Sequence, residues 1–492
     1  EIAERLRVPT PLPQSLRVCF PTRAPGRMVH GLLFSRAMRL DDLKRFVIDV
    51  PRYTSYPTAA EFSSAIGAVA HAAHLRARAS TAHGPVSLYV HLPFCQELCH
   101  FCGCHALVAR APQRIPRYLR ALDAEATLVA GALGETRQVA ELHFGGGSPS
   151  LLSADQFEAL MGDLRRKFVF APDAALSVEA DPRTTDGEKL DRYRRLGVER
   201  ISFGFQDLDP GVQRAIGRDQ SAAVSRAAYR AARAAGFSGI NIDLCYGLPE
   251  QTEATFADTV DAVVAMRPDR VALFGYAHVP WLRPRQKLID AASLPRADLR
   301  LRLVADAHAR MAAAGYVAIG FDHFALPGDS LARAAEEGTL HRNFQGYTTT
   351  RTDALVGLGL SAISELPEAY AQNARTLRDY YAAVDEGRLP TERGVARTAD
   401  DRLRGDLIRR IMCEFRLDVP AIEAAHGLSF SATFAPELTA LRGLEDDGLV
   451  SLAPEAVLLT PLGRMFVRNV AVVFDAHRRR APAAAPRFSS SV

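Results

Sequence analysis

Short apolar runs and helix-period stretches alternate along residues 87–316. The runs are SLYVHLP (87–93), ELHFGGG (141–147), LSVEADP (176–182), RISFGFQ (200–206), GINIDLCYGLP (239–249) and RVALFGYAHVP (270–280). Five lead directly into segments with the period of an amphipathic helix, at 153–168, 185–196, 221–236, 252–266 and 296–315. After the first comes a cysteine-rich loop, then a helix near 114–131. Ser, Thr or Asp stands near the helix starts, where a side-chain oxygen can accept an unpaired N–H. Six strand–helix units in a row predict a parallel sheet, because parallel strands need crossover connections. Polar residues gather where each strand ends, the edge on which barrel sites are built. The predicted fold class is α/β, a partial (β/α)6 barrel.

The flanks read differently. Residues 1–50 are expected to be an N-terminal extension, partly disordered, and 51–86 a segment packing on the barrel. MVHGLLF (28–34) is too short and too poorly flanked for a signal peptide, and Met28 or Met38 would serve as a start. The barrel domain is expected over 87–365, its last part (317–365) as strands and loops. Residues 366–480 read as a mostly helical C-terminal domain, winged-helix-like around LRGLEDDGLV and VLLTPLGRMFVRNV. Residues 481–492 read as a loose tail.

Composition narrows the class. With 492 residues there is room for two or three cores. A hydrophobic fraction of 48% and a charged fraction of 24% are ordinary for soluble globular chains. No uncharged apolar run approaches the length of a membrane span. Lys+Arg 60 against Asp+Glu 56 leaves +4, too slight for a general nucleic-acid binder.

The cysteines carry the chemistry. Of seven, four are Cys95, Cys99, Cys102 and Cys104, while Cys19, Cys245 and Cys413 are scattered. An odd count in a long chain does not suit a secreted disulfide framework, so a reducing, cytoplasmic compartment is expected. A zinc site would want a distant second pair of ligands. A thioredoxin-type CxxC would leave the upstream cysteine unexplained. Three thiolates on one loop favour a [4Fe–4S] cluster with one iron open. A closed cluster with Cys104 as fourth ligand stays the alternative.

Cys95-x-x-x-Cys99-x-x-Cys102, with Phe101 before the last cysteine, resembles the radical S-adenosylmethionine signature. The ordered blocks PRYTSYPTA (51–59), YVHLPFCQELCHFCGC (89–104), HFGGGSPS (143–150), EADPR (179–183), GFQD (204–207), NIDLCYGLP (241–249), YAHVP (276–280), DHFALP (322–327) and HRNFQGYTT (341–349) narrow the match. Together they resemble the oxygen-independent coproporphyrinogen III oxidase (dehydrogenase) family from residue 51 to about 480. The resemblance implies an oxidoreductase of porphyrin and haem biosynthesis. Such an enzyme uses a 5′-deoxyadenosyl radical to decarboxylate two propionates of coproporphyrinogen III, giving the vinyls of protoporphyrinogen IX.

It also implies the site residues. Cys95, Cys99 and Cys102 match the cluster ligands, and Cys104 matches a non-ligand cysteine at the cluster mouth with a catalytic role. Two molecules of S-adenosylmethionine are implied. Tyr89, Gly146, Glu179 and Ile363 match the site of the cluster-bound one. Phe101, Gly147, Ser148, Gln206, Arg218, Asp243 and Ala277 match a second. On their own these residues have plainer readings: the glycines a tight turn, Glu179 a capping acid, and Gln206 and Asp243 polar residues at strand ends. Tyr89, Ala277 and Ile363 would be core, and Arg218 a solvated position in the helical stretch after the fourth strand. Arg52 and Arg342 are candidates for gripping substrate carboxylates, or structural ion pairs. Expected partners are coproporphyrinogen III, an electron donor to the cluster and an electron acceptor. The chain is expected to be a monomer that binds neither nucleic acid nor membrane. The competing reading is a haem-binding chaperone of the same superfamily, which would lack the CxC cysteine and the PRYTSYP segment.

Overall fold

A computed structural model describes residues 22–24, 27–29, 40–81, 84–111 and 113–480. Most of the extension expected over 1–50, and all of the tail 481–492, lie outside the described residues. Each of the six runs is a strand: Val86–Leu92, Gln138–Gly146, Val169–Ala180, Arg200–Gln206, Gly239–Tyr246 and Arg270–Gly275. They are parallel and hydrogen-bonded in chain order. The crossover helices are Arg114–Leu133, Ala154–Lys167, Gly187–Arg195, Ala222–Ala234 and Glu253–Met266, and Ala297–Ala313 follows the sixth strand. Ser153 and Thr252 close capping boxes, and Asp186 and Ser221 accept from the third N–H of their helices. The helices at Arg114 and Ala297 depart from the expectation, since neither Gln113 nor Arg296 makes a side-chain cap.

Strand side chains alternate between two environments, as the pleat requires. Leu88, Val90, Leu142, Phe144, Val178, Ile201, Phe203, Ile240, Ile242 and Val271 are buried in the main hydrophobic core. The intervening positions His143, Ser177, Glu179, Ser202, Asn241 and Asp243 line a cavity. Parallel register sets them side by side: Tyr89 faces His143, His143 faces Ser177, Glu179 faces Ser202, and Ser202 faces Asn241. The barrel interior is therefore polar and hollow, unlike the apolar layers that fill a closed eight-stranded barrel.

The sheet has twelve strands and is open. Leu355–Leu358 runs parallel to the first barrel strand, and Ile363–Leu366, Ala369–Asn373 and Thr391–Ala396 continue antiparallel. Beyond the sixth strand, His323–Ala325 and Val317–Ile319 add antiparallel. Two strands thus occupy part of 366–396, where helix was expected. AYAQN is fully buried but has no β-branched residue and no alternation, so it carries little strand signal. A helix, Ser330–Glu337, also sits within the 317–365 stretch read as strands and loops.

Helix dominates from Ala399. Ala399–Glu414, Arg416–Asp418, Val419–His426, Ala435–Asp446 and the pair Val450–Ala453/Ala456–Leu459 make a winged-helix-like unit with a three-stranded sheet. The segment before the barrel is clamped between this region and the barrel. Tyr53 Oη donates to Asp475 Oδ2 (2.9 Å), Asn469 Nδ2 to Phe46 O (2.8 Å), and Arg52 Nη2 to Gly275 O (2.8 Å).

Behind the first strand, buried Glu125 accepts from Gly359 N–H (2.7 Å), Asn373 Nδ2 (2.5 Å) and Tyr380 Oη (2.6 Å), tying the return strands to their helix. Burial pushes its carboxyl up to about 7 in spite of these donors. A carboxyl raised in the fold favours the folded state while protonated, and that advantage is lost as pH rises from its ordinary value through about 7. Denaturant unfolding at several pH values between about 5 and 8 checks this. Glu125→Gln should flatten the fall in stability that the wild type shows over that window.

Candidate active site

The cysteine loop is pinned at both ends by backbone bonds. Leu107 N–H donates to Pro93 O (2.7 Å), Ala109 N–H to Cys95 O (3.1 Å) and His100 N–H to Ile216 O (2.7 Å). Cys95, Cys99, Cys102 and Cys104 line one cavity of about 1680 Å³. Arg218 Nη1 donates to Cys99 Sγ (3.3 Å), and the Cys104 N–H donates to Cys102 Sγ (3.4 Å). A hydrogen bond from the Cys104 thiol brings Cys102 down to about 6, and the same bond, with the Cys102 charge, pushes Cys104 up. Burial pushes Cys95 up to about 12. Among the described residues, no three His, Cys, Asp or Glu side chains converge as a single metal ion would require. A four-iron cluster sets a different condition, because each thiolate takes its own iron. Three sulfurs on one cavity wall, two of them receiving N–H donors, fit that group.

The glycine run ends the second strand and is stitched to the root of the cysteine loop. Gly147 N–H donates to Leu92 O (2.9 Å) and Ser148 N–H to Phe94 O (2.9 Å). A Cβ at Gly147 would lie 2.7 Å from Pro93 C and O. Gly146 has φ +118°, and a Cβ there would lie 2.7 Å from the His91 ring. These glycines therefore serve close backbone approach within the protein as well as the cavity wall.

Two acids face the interior. Burial works against the Glu179 carboxylate, but His143 (3.5 Å) and Gly146 N–H (2.9 Å) outweigh it and hold it below its usual range. Asp243 is pushed up to about 6 by burial and then by the nearby Glu179 charge, although Asn241 Nδ2 (2.6 Å) and Ser202 Oγ (3.2 Å) donate to it.

The cavity gathers Cys95, Cys99, Phe101, Cys102, Cys104, Gly146, Gly147, Glu179, Gln206, Arg218, Asp243 and Ala277. Tyr89, Ser148 and Ile363 are not among its lining residues. Tyr89 stacks on His143 and bonds His91 Nδ1 (2.9 Å). Ser148 is buried, 3.1 Å from Ser150 Oγ. Ile363 packs with Phe62 and Tyr370. Gln206 holds φ +68°, a conformation a non-glycine residue keeps only where its surroundings impose it. The plain reading of Arg218 is corrected. It lies in the loop after the short helix Pro210–Ala215, is buried, and also donates to Gly204 O (2.7 Å) and Gln220 Oε1 (3.0 Å). Ala277 stands two residues beyond the end of its strand.

Arg52 and Arg342 reach the cavity but make no ion pair among the described residues. Arg342 Nη1 donates to the carbonyls of Arg52 (2.8 Å) and Tyr53 (3.0 Å), and its guanidinium lies over Tyr347. Sequence reasoning missed several lining residues. Gln345 carries a buried Nε2 and Asn241 a buried Oδ1 without partners among the described residues. His323 is oriented by Asp322 (2.6 Å from its Nδ1). Gln345 and His323 stand inside the quoted blocks HRNFQGYTT and DHFALP, which were the available signal.

Comparison with known proteins places these features in a family. The Radical SAM superfamily model matches residues 89–263, and the HemN C-terminal domain model matches 398–466. The oxygen-independent coproporphyrinogen III oxidase of Salmonella typhimurium is 43% identical over 438 residues, 89% of this chain and 95% of that protein. The one from Bradyrhizobium diazoefficiens is 44% identical over 428 residues, covering 87% and 94%. The solved structure of coproporphyrinogen III oxidase (HemN) from Escherichia coli, described as a radical SAM enzyme, superposes with a TM-score of 0.82 over 87% of this chain and 97% of that one. With identity of that order along nearly the whole chain, the protein belongs to the oxygen-independent coproporphyrinogen III oxidase family of the radical SAM superfamily.

Proposed function

We propose that this chain decarboxylates two propionates of coproporphyrinogen III without oxygen, producing protoporphyrinogen IX for haem synthesis. The observation that carries this reading is the three-cysteine loop opening into a cavity of about 1680 Å³, roomier than a single-ligand pocket. Cys104 and residues 51–55 also line that cavity, which supports the enzyme over the chaperone reading. The six cysteines among the described residues are all unpaired, which suits a reducing cytoplasm.

A [4Fe–4S] cluster and S-adenosylmethionine, when bound, supply the one-electron chemistry that takes a hydrogen atom from an unactivated C–H bond. Cys95, Cys99 and Cys102 would hold the iron, and Arg218 would steady the Cys99 sulfur. Glu179 stays ionised and is placed to hold an ammonium or a ribose hydroxyl, with Gly146 in the same wall, Tyr89 supporting that wall through His143, and Ile363 packed outside the lining. Phe101, Gly147, Gln206, Arg218, Asp243 and Ala277 line the same cavity and would hold a second molecule there, with buried Ser148 behind the wall. Cys104, on the same cavity wall, is the side chain placed for proton or electron handling. Per propionate, one hydrogen atom and one carbon dioxide leave, and one electron passes to an acceptor.

The direct test is an anaerobic assay with reconstituted cluster, a reductant, S-adenosylmethionine and coproporphyrinogen III, scored by protoporphyrinogen formed. Absence of that product from a cluster-loaded protein rejects the reading. Two reacting propionates and a roomy cavity support two bound molecules of S-adenosylmethionine. Asp243→Asn should weaken one of two binding events in equilibrium binding and leave cluster content unchanged. Because Asp243 ionises at about 6, with Glu179 and His323 nearby, wild-type binding of the second molecule should weaken as pH falls below about 6. A wild-type stoichiometry of one rules the second pocket out.

A further inference from the structure

The loop between the sixth strand and the helix Ala297–Ala313 carries an exposed apolar pair, Trp281 (52% exposed) and Leu282 (58%). Trp281 is the only tryptophan in the chain. Buried Gln286 fixes this loop over the cysteine loop. Its Oε1 accepts from Val279 N–H (2.6 Å), and its Nε2 donates to Phe101 O (2.9 Å) and Ala277 O (3.1 Å). Trp281, Leu282 and Arg283 consequently stand at the cavity wall, with Arg283 close enough to influence Cys102 and His105.

Arg375 and Arg393 line the same cavity from the return strands. Arg375 pairs with Glu392 (2.6 Å), and its carbonyl accepts from His105 Nε2 (2.7 Å). Arg393 Nε donates to the neutral Gln372 Oε1 (2.7 Å), its guanidinium over Phe62. Among the described residues, neither Arg283 nor Arg393 has a carboxylate partner. Arg52 and Arg342, on the same cavity, already spend donors on backbone carbonyls. An exposed indole on the same cavity as two guanidiniums that make no direct ion pair among the described residues suits a ligand that is apolar on its faces and anionic at its edge.

We infer that this rim is the docking platform for the tetrapyrrole: Trp281 and Leu282 cover one face of the macrocycle, while Arg283 and Arg393 hold the two carboxylates that remain on the product. The inference rests on the proposed function and adds the placement of the substrate. Carboxylates held at the rim leave the reacting pair directed inward, toward the cysteine loop.

Coproporphyrin III, the stable oxidised counterpart of the substrate, is the probe, added to the cluster-reconstituted full chain. Porphyrin absorption overlaps tryptophan emission, and red-edge excitation selects Trp281 over the tyrosines, so quenching reports that the porphyrin is bound while the arginine variants report where. Quenching should saturate with the wild type and should not do so with the tetramethyl ester, which lacks the charges. Arg283→Gln and Arg393→Gln should each weaken binding roughly tenfold, with Arg283→Lys recovering part of the loss. Trp281→Ala, followed by the porphyrin's own fluorescence, should weaken it too. Unchanged cluster absorbance and melting temperature show that the variants are folded. If both arginine variants bind as the wild type does, or porphyrin binds without quenching Trp281, the rim assignment is overturned. Wild-type conversion of coproporphyrinogen III in the assay above separates that failure from failure of the proposed function.

Discussion

Replacing any one of Cys95, Cys99 and Cys102 by alanine should abolish the iron–sulfur absorbance and all cleavage of S-adenosylmethionine. The loop supplies three sulfurs to one wall of the cavity; among the described residues the other cysteines that line it are Cys104, on the same loop, and Cys245, on the fifth strand. Cys104 is the discriminating position. Its backbone N–H donates to Cys102 Sγ (3.4 Å), so its place in the loop supports that sulfur. Cys104→Ala should therefore keep the absorbance and lose decarboxylation. Iron content, absorbance and 5′-deoxyadenosine formation, measured anaerobically, check all four variants. Loss of the cluster in Cys104→Ala would establish the closed four-cysteine alternative. Arg218→Lys belongs to the same series, since its bond to Cys99 (3.3 Å) bears on the sulfur while its bond to Gly204 O bears on the barrel. A shifted cluster reduction potential with unchanged iron content is the expected signature.

Gly147→Ala should be nearly as damaging, through packing rather than ligation. The added carbon would meet Pro93 C and O at 2.7 Å and Phe94 O at 2.9 Å, all backbone atoms that no rotamer change can move away. Overpacking of this kind costs about 1–3 kcal/mol. Here it falls on the residues immediately before Cys95, so the expected readout is poor cluster retention with a modest fall in melting temperature. Gly146→Ala adds backbone strain at φ +118° to its clash with His91 and should behave alike. Gly187→Ala is the control. It stands in the first turn of a helix with nothing within 4 Å of the new carbon, and should leave both measurements unchanged.

The six strand–helix units and the cysteine loop were legible in the sequence because their signals are local. Hydrophobic period, capping residues and thiol spacing all act within one turn or one strand. The blocks from PRYTSYPTA to HRNFQGYTT carried the family as well, since their order along the chain is itself a property of the sequence. What local pattern could not contain is which residues meet. Arg218 reaches Cys99 across 119 positions, and Glu179 reaches the Gly146 amide across 33. Ser202, Asn241 and Asp243 meet because parallel register aligns adjacent strands, a relation that crossover helices of variable length conceal in the chain. The strand Ala369–Asn373 and the unpartnered amide of Gln345 depend likewise on neighbours far away in sequence. Charge follows the same division. The sequence alone determined that Asp243 and Glu179 are acids near strand ends. Only the tertiary structure decided that one ionises readily and the other at about 6, because burial and the donors around each carboxylate set the cost of its charge.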